Sequence, residues 1–169
     1  MTPDQLPLGV LELFDEDEYY TGPSIDSDAV RAAEETLGVS LPSSYVELLH
    51  VRNGGSLRHR CYPTEFRSSW APDHFEVRAL LGIGGRLGIE SSPTLIAEWG
   101  YPDVGVVICD LPSGGHDTVM LDYSESGPEG GPAVIYVDED RVPRRIADSF
   151  EEFVSRLMSC DQFANPDDV

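Results

Sequence analysis

The chain has no lysine, so each of its 11 basic residues is an arginine, and these face 31 acids for a net charge of −20 over 169 residues. That balance excludes nucleic acid as a direct partner, because neutralising phosphates requires the opposite sign. It also excludes docking on an anionic membrane. Apolar runs are short. The longest, such as Val104–Cys109, cannot span a bilayer. The N-terminus Met-Thr-Pro-Asp-Gln-Leu-Pro has no basic region and no apolar core, so it is not a secretory signal, and a cytoplasmic location is expected. Cysteines number three, Cys61, Cys109 and Cys160, odd and widely spaced with no CxxC pair. This excludes a dense disulfide framework, and buried or idle thiols are expected. His59 beside Cys61 is too little for structural zinc, which takes about four ligands in recognisable pairs.

Other absences bear on chemistry. Without lysine there is no Gly-Lys-Ser/Thr phosphate loop. The glycine-rich stretch Gly82 to Gly88 runs into Glu90-Ser91-Ser92-Pro93, where Pro93 is expected to interrupt an early helix, contrary to a dinucleotide fingerprint. There is no Gly-x-Ser-x-Gly elbow. Ser113, His116 and Asp117 lie close in sequence, but triads draw on distant segments, and a hydrogen-bonded turn is the simpler reading. Asp15–Glu18 and Asp138–Asp140 lack the alternating acids and glycine of a calcium loop. The chain therefore offers no catalytic residue, no metal site and no cofactor site, and is expected not to be an enzyme.

What is present is the patterning of one globular domain. Apolar residues make up 40% and charged residues 25%, ordinary values for a chain of this length, which needs no staples to bury a core. Residues 1–24 read as an acidic arm: a short apolar stretch, Leu8–Phe14, precedes Asp15-Glu16-Asp17-Glu18, four acids that repel one another and favour solvent. A helix follows, capped by Ser24 or Asp26, with Ala29, Val30, Ala33 and Leu37 on one face and Gly38 as its stop. Leu41-Pro42 opens a second helix with Pro42 in its first turn, Tyr45, Val46, Leu48 and Leu49 as its stripe, and Asn53-Gly54-Gly55 as its end. Residues 56–75 are arginine-rich and irregular, and 80–89 are loop-like. Val104–Cys109, Thr118–Tyr123 and Ala133–Val137 read as three strands of an antiparallel meander. A helix with Phe150, Phe153, Val154 and Leu157 on one face closes the domain, capped by Asp148 or Ser149, and 159–169 is an acidic tail. The order helix, helix, strands, helix predicts an α+β domain with helices packed on a largely antiparallel sheet.

The stretch Glu34-Glu35-Thr36-Leu37-Gly38, then Leu41-Pro42-Ser43-Ser44-Tyr45, an apolar helix and Asn53-Gly54-Gly55, resembles the N-terminal signature of the SMI1/KNR4 (SUKH) superfamily. Asp110–Asp122, Val134–Asp138 and Ile146–Phe153 resemble its later features, so the likeness covers residues 25–158. The motif residues Leu37, Gly38, Leu41, Pro42, Tyr45, Asn53, Gly54 and Gly55 each have a structural explanation as helix stops, a helix start or core. The resemblance implies an immunity protein that binds and neutralises a bacterial toxin, often a nuclease. The alternative it implies is an intracellular regulatory or scaffold module. The acid excess independently suits a basic protein partner. Candidate contacts are the acids of unpacked segments, Asp15, Glu16, Asp17, Glu18, Asp138, Glu139 and Asp140, with Tyr62 and Trp70 of the irregular segment as aromatic anchors.

Overall fold

A computed structural model describes residues 10–163 apart from Arg86. The N-terminal reading for residues 1–9 and the last acids of the tail lie outside the described residues. The architecture is α+β. Three helices follow the pattern of the sequence, α2 (Ser27–Leu37), α3 (Ser43–Val51) and, at the end, α5 (Phe150–Arg156), and a one-turn helix, α1 (Val10–Leu13), forms in the segment read as an arm. Asp26 caps α2, its carboxylate accepting from Ala29 N at 2.9 Å. Gly38 ends it in the left-handed region at φ 71°, as a helix stop requires. Ser149 caps α5 by accepting from Glu152 N. Pro42 occupies the N-cap of α3 itself, one residue earlier than expected.

The main sheet has four antiparallel strands in the order β5 (Gly105–Val107), β7 (Thr118–Asp122), β8 (Ala133–Val137), β9 (Pro143–Ala147). Thr118 faces Val137 and Asp122 faces Ala133 across the central pair. β7 and β8 are buried on both faces. α5 packs against β8 and β9, and α3 packs on α5, where Tyr45 stacks on Phe150 at 4.7 Å. A hairpin of β2 (Cys61–Pro63) and β3 (His74–Glu76) adds the ring series Phe153, Tyr62, Phe75, Tyr136, each stacked on the next at 4.3–5.3 Å. A small third sheet joins β1 (Gly55–Ser56), β4 (Ala79–Leu80) and β6 (Cys109–Asp110).

Several expectations are corrected. The apolar run 104–109 is two strands, because the chain changes partners at Ile108, from β7 on one side to β4 on the other. A fifth helix, α4 (Ser92–Trp99), forms where Pro93 was expected to prevent one. Pro93 lies in its first turn, where a missing N–H leaves no bond unmade. The fourth strand of the main sheet, β9, begins with Pro143-Arg144-Arg145, all exposed. It is an edge strand with no apolar alternation to announce it.

The N-terminal segment is not a loose arm over its described part. Leu13 and Phe14 are buried, Phe14 bridges to Leu57, and Leu13 O accepts from Arg58 N. The cysteines are not three idle thiols: Cys61 and Cys160 form a disulfide with Cα atoms 5.1 Å apart. Ninety-nine positions separate them in sequence, and only the return of the C-terminal segment to β2 brings them together. Cys109 remains a buried thiol, its pKa pushed well up by desolvation and then by Asp110.

Candidate protein-binding face

The loop from Thr64 to Asp73 carries Trp70, 58% exposed, and holds it firmly. Ser68 is buried. Its hydroxyl donates to His74 O at 2.6 Å and accepts from Ala71 N at 3.1 Å, which closes the loop on itself. The indole is aimed by a buried acid. Asp117, 2% exposed, accepts from Trp70 Nε1 at 3.1 Å, from the Tyr136 hydroxyl at 2.7 Å and from the Ser113 hydroxyl. Three donors around one carboxylate form a satisfied network, the condition under which a buried polar group specifies a position. Burial pushes the Tyr136 phenol far above its ordinary pKa, opposed by the hydrogen bonds of Ser69 and aided by the adjacent Asp117, so it remains a donor.

The same loop is tied to the turn between β8 and β9. Ser69 Oγ accepts from Glu139 N at 3.0 Å, and Ser69 N donates to the Tyr136 hydroxyl. Within the turn the Asp138 carboxylate accepts from Asp140 N and Val142 N, and Arg141 takes up φ 65°. That backbone is uncommon for a residue with a side chain. The Arg141 guanidinium donates to Trp99 O and His116 O, each at 2.7 Å, and lies over the Tyr101 ring. Trp70, Glu139 and Asp140, drawn from two distant segments, are therefore held together. Val142, also exposed, extends the apolar part of the turn. Beside Trp70 an open groove of about 340 Å³ runs along Ala71, His74, Phe75, Glu76, Pro112 and Ser113.

The acids at 15–18 belong to a different part of the surface. Glu16, Asp17 and Glu18 are exposed, yet their backbone is fixed. Arg52, just past α3, donates to Asp15 O at 2.8 Å and Asp17 O at 2.6 Å, and its guanidinium lies over the Phe14 ring. Asp17 accepts from the Ser56 hydroxyl and Asp15 pairs with Arg60 at 3.5 Å. Leu13 and Phe14 carried the signal of this packing, since apolar side chains next to an acid run gain by leaving water.

Tyr62 is corrected as a candidate. It is 1% exposed, stacked between Phe75 and Phe153, and its hydroxyl donates to Ile146 O at 2.6 Å. A short strand, not a loop, places it, and the alternation of β2 turns it inward.

The other motifs resolve into scaffold. Asn53 is a clasp. Its Oδ1 accepts from Ile83 N, and its Nδ2 donates to Pro23 O and Ile83 O, all within 2.7–2.8 Å. Gly54 holds φ 82° with the Gly82 backbone pressed against it. In the glycine-rich loop the Glu90 carboxylate receives the Gly84 N–H at 2.9–3.0 Å, so the chain's own acid fills the place an anion would take. Ser113 donates to Asp117 and not to His116, whose ring meets Trp99 edge-on, so no hydroxyl–imidazole relay exists there. Among the described residues no three histidines, cysteines or acids gather as a metal site, and no helix is long and apolar enough to cross a membrane.

Residues 27–154, well over half of the chain, match the family model SUKH_6, described as SMI1-KNR4 cell-wall. No curated protein matches the chain.

Proposed function

The chain belongs to the SMI1/KNR4 (SUKH) superfamily, and from that premise we propose that it is an immunity protein that neutralises a cognate bacterial toxin by binding it, without catalysis. The observation that carries this reading is the exposed Trp70, aimed by the buried Asp117 network and flanked by Glu139 and Asp140. A large ring fixed in place loses little entropy on binding, which is what an energetic anchor of an interface requires. The net charge of −20 favours a basic partner such as a nuclease, whose own surface must attract phosphate.

In this reading Trp70 sets the lifetime of the complex, while Asp15–Glu18 and Asp138–Asp140 steer the encounter. Cytoplasmic action against an incoming toxin is part of the proposal. The test is co-expression with the product of the neighbouring gene, followed by co-purification and measurement of association rates at low and high salt. The expected result is a one-to-one complex whose association slows steeply as salt rises. A chain that captures no neighbouring product would instead support the regulatory, scaffold-type reading.

A further inference from the structure

The segment after α5 folds back on β2. Leu157 is buried, and Met158 exchanges both backbone hydrogen bonds with Cys61, at 3.0 and 2.9 Å. Beyond that point the chain turns through a 3-10 helix, Cys160–Phe163, whose hydrogen bonds return to Ser159 in the same segment. Two attachments tie this helix to the rest of the described chain: the Cys61–Cys160 disulfide, and the Phe163 ring stacked on His74 at 4.2 Å. His74 is a wall of the groove beside Trp70. The bridge and the ring stack thus hold this helix beside the groove.

We propose that Cys61 and Cys160 form a reversible thiol–disulfide exchange site that latches the C-terminal segment onto the β2–β3 hairpin. Cys61 is buried and Cys160 half-buried, so a small dithiol reaches the Cys160 sulfur first. Its thiolate attacks that sulfur, a mixed disulfide forms, and Cys61 leaves as a thiolate that takes a proton. The dithiol's second thiolate then displaces Cys160, which is protonated in turn, and the dithiol ends as a cyclic disulfide. Two electrons pass to the protein. A disulfide oxidant such as oxidised glutathione drives the reverse. With the bridge open, the stack of Phe163 on His74 is the remaining hold on this helix, and the segment opens more often beside the wall of the groove. This is independent of the partner's identity.

The test uses the full chain, oxidised by glutathione disulfide or reduced by dithiothreitol without denaturant. Alkylation and mass spectrometry are expected to find no modified cysteine in the oxidised form. In the reduced form they are expected to find Cys61 and Cys160 modified, with Cys109 still protected by burial. Trypsin cuts this chain only at arginine, and Arg156 immediately precedes the latched segment. Cleavage after Arg156 is expected to run at least about tenfold faster in the reduced chain and in Cys160→Ser, the ratio expected when a docked segment becomes free to open. The melting temperature is expected to fall by about 5–15 °C on reduction, because the bridge closes a long loop. Phe163→Ala should leave the oxidised chain slow to cleave and speed only the reduced one. Should Cys160→Ser fail to fold, reduction of the folded wild type makes the same comparison. Equal cleavage rates in oxidised and reduced chain would overturn the latch, as would failure of glutathione disulfide to join Cys61 to Cys160.

Discussion

At the Trp70 end the decisive carboxylate is buried and the aromatic ring is exposed. In the 15–18 segment the carboxylates are exposed and the aromatic ring, Phe14, is buried. Asp117 spends its oxygens on three side-chain donors, so its charge serves geometry. Glu16 and Glu18 face water, and Arg52 holds the carbonyls of their neighbours Asp15 and Asp17, so the charge of the two glutamates remains available at long range. The two regions illustrate two uses of an acid: a buried one positions a neighbour, and an exposed one shapes the field.

Removing one acid from each region separates the two uses by the largest expected effect. Asp117→Ala leaves the Tyr136, Trp70 and Ser113 donors without their acceptor, and a loss of about 2–4 kcal/mol in unfolding free energy is expected. Urea denaturation followed by tryptophan fluorescence reads both the stability and the freed indole. Asp17→Ala gives up a half-exposed bond to Ser56, and its loss should stay under about 1 kcal/mol. Comparable losses for the two would mean that the buried and the exposed acid support the fold alike.

Backbone strain tests the support of the acidic segment. Gly54 carries φ 82°, and a Cβ there would lie 2.8 Å from Gly82 N. Its carbonyl also accepts from the Thr21 hydroxyl. Gly54→Ala should cost about 1–3 kcal/mol through strain and crowding. Gly38, with φ 71° but open space around it, should cost about 1 kcal/mol as Gly38→Ala. Thermal melts of the two variants check the order. Gly55 has an ordinary φ, so the crowding of Phe14 and Arg52, rather than its dihedral, makes it intolerant.

Binding kinetics separate anchor from steering. In the proposed complex Trp70→Ala should speed dissociation by about ten- to a hundredfold and leave association nearly unchanged. Neutralising Asp15, Glu16, Asp17 and Glu18 together should slow association several-fold at low salt and leave dissociation alone, while each single change is near silent. Surface plasmon resonance at two salt concentrations distinguishes these patterns. If Trp70→Ala acts on association and the acid cluster on dissociation, the roles are reversed.

A smaller effect involves both regions at alkaline pH. Tyr20, hydrogen-bonded to Asp110, and Tyr101, hydrogen-bonded to Gly115 O, are each pushed up to about 12, in both cases chiefly by burial. The unfolded chain loses these protons near pH 10, whereas the native chain keeps them. Their stabilising contribution is therefore full below pH 10 and declines as pH rises toward 12. Denaturation midpoints across that range, with phenolate absorbance as the second readout, should show the decline. A flat profile would mean that neither phenol is held as its surroundings require.

Local chemistry determined a good part of this protein. Asp26, Gly38, Ser149 and the Asn53-Gly54 turn mark helix ends because capping and positive φ are matters of a few adjacent residues. The runs at 118–122 and 133–137 pair as neighbours in a meander because they follow each other in the chain, a turn-rich loop joins them and their apolar content is high. The α+β class and the family likeness rest on that level. Tertiary structure alone decided the rest. Pro93 starts a helix instead of blocking one. The exposed residues of β9 join an edge that no alternation reveals. Tyr62 turns inward while Trp70 stays out, although both lie in one irregular stretch. Asp117 gathers donors from three segments, and Cys61 meets Cys160 across ninety-nine positions. Each of these depends on which distant groups become neighbours. Hydrogen-bond satisfaction and burial are settled only when the whole chain has closed around them.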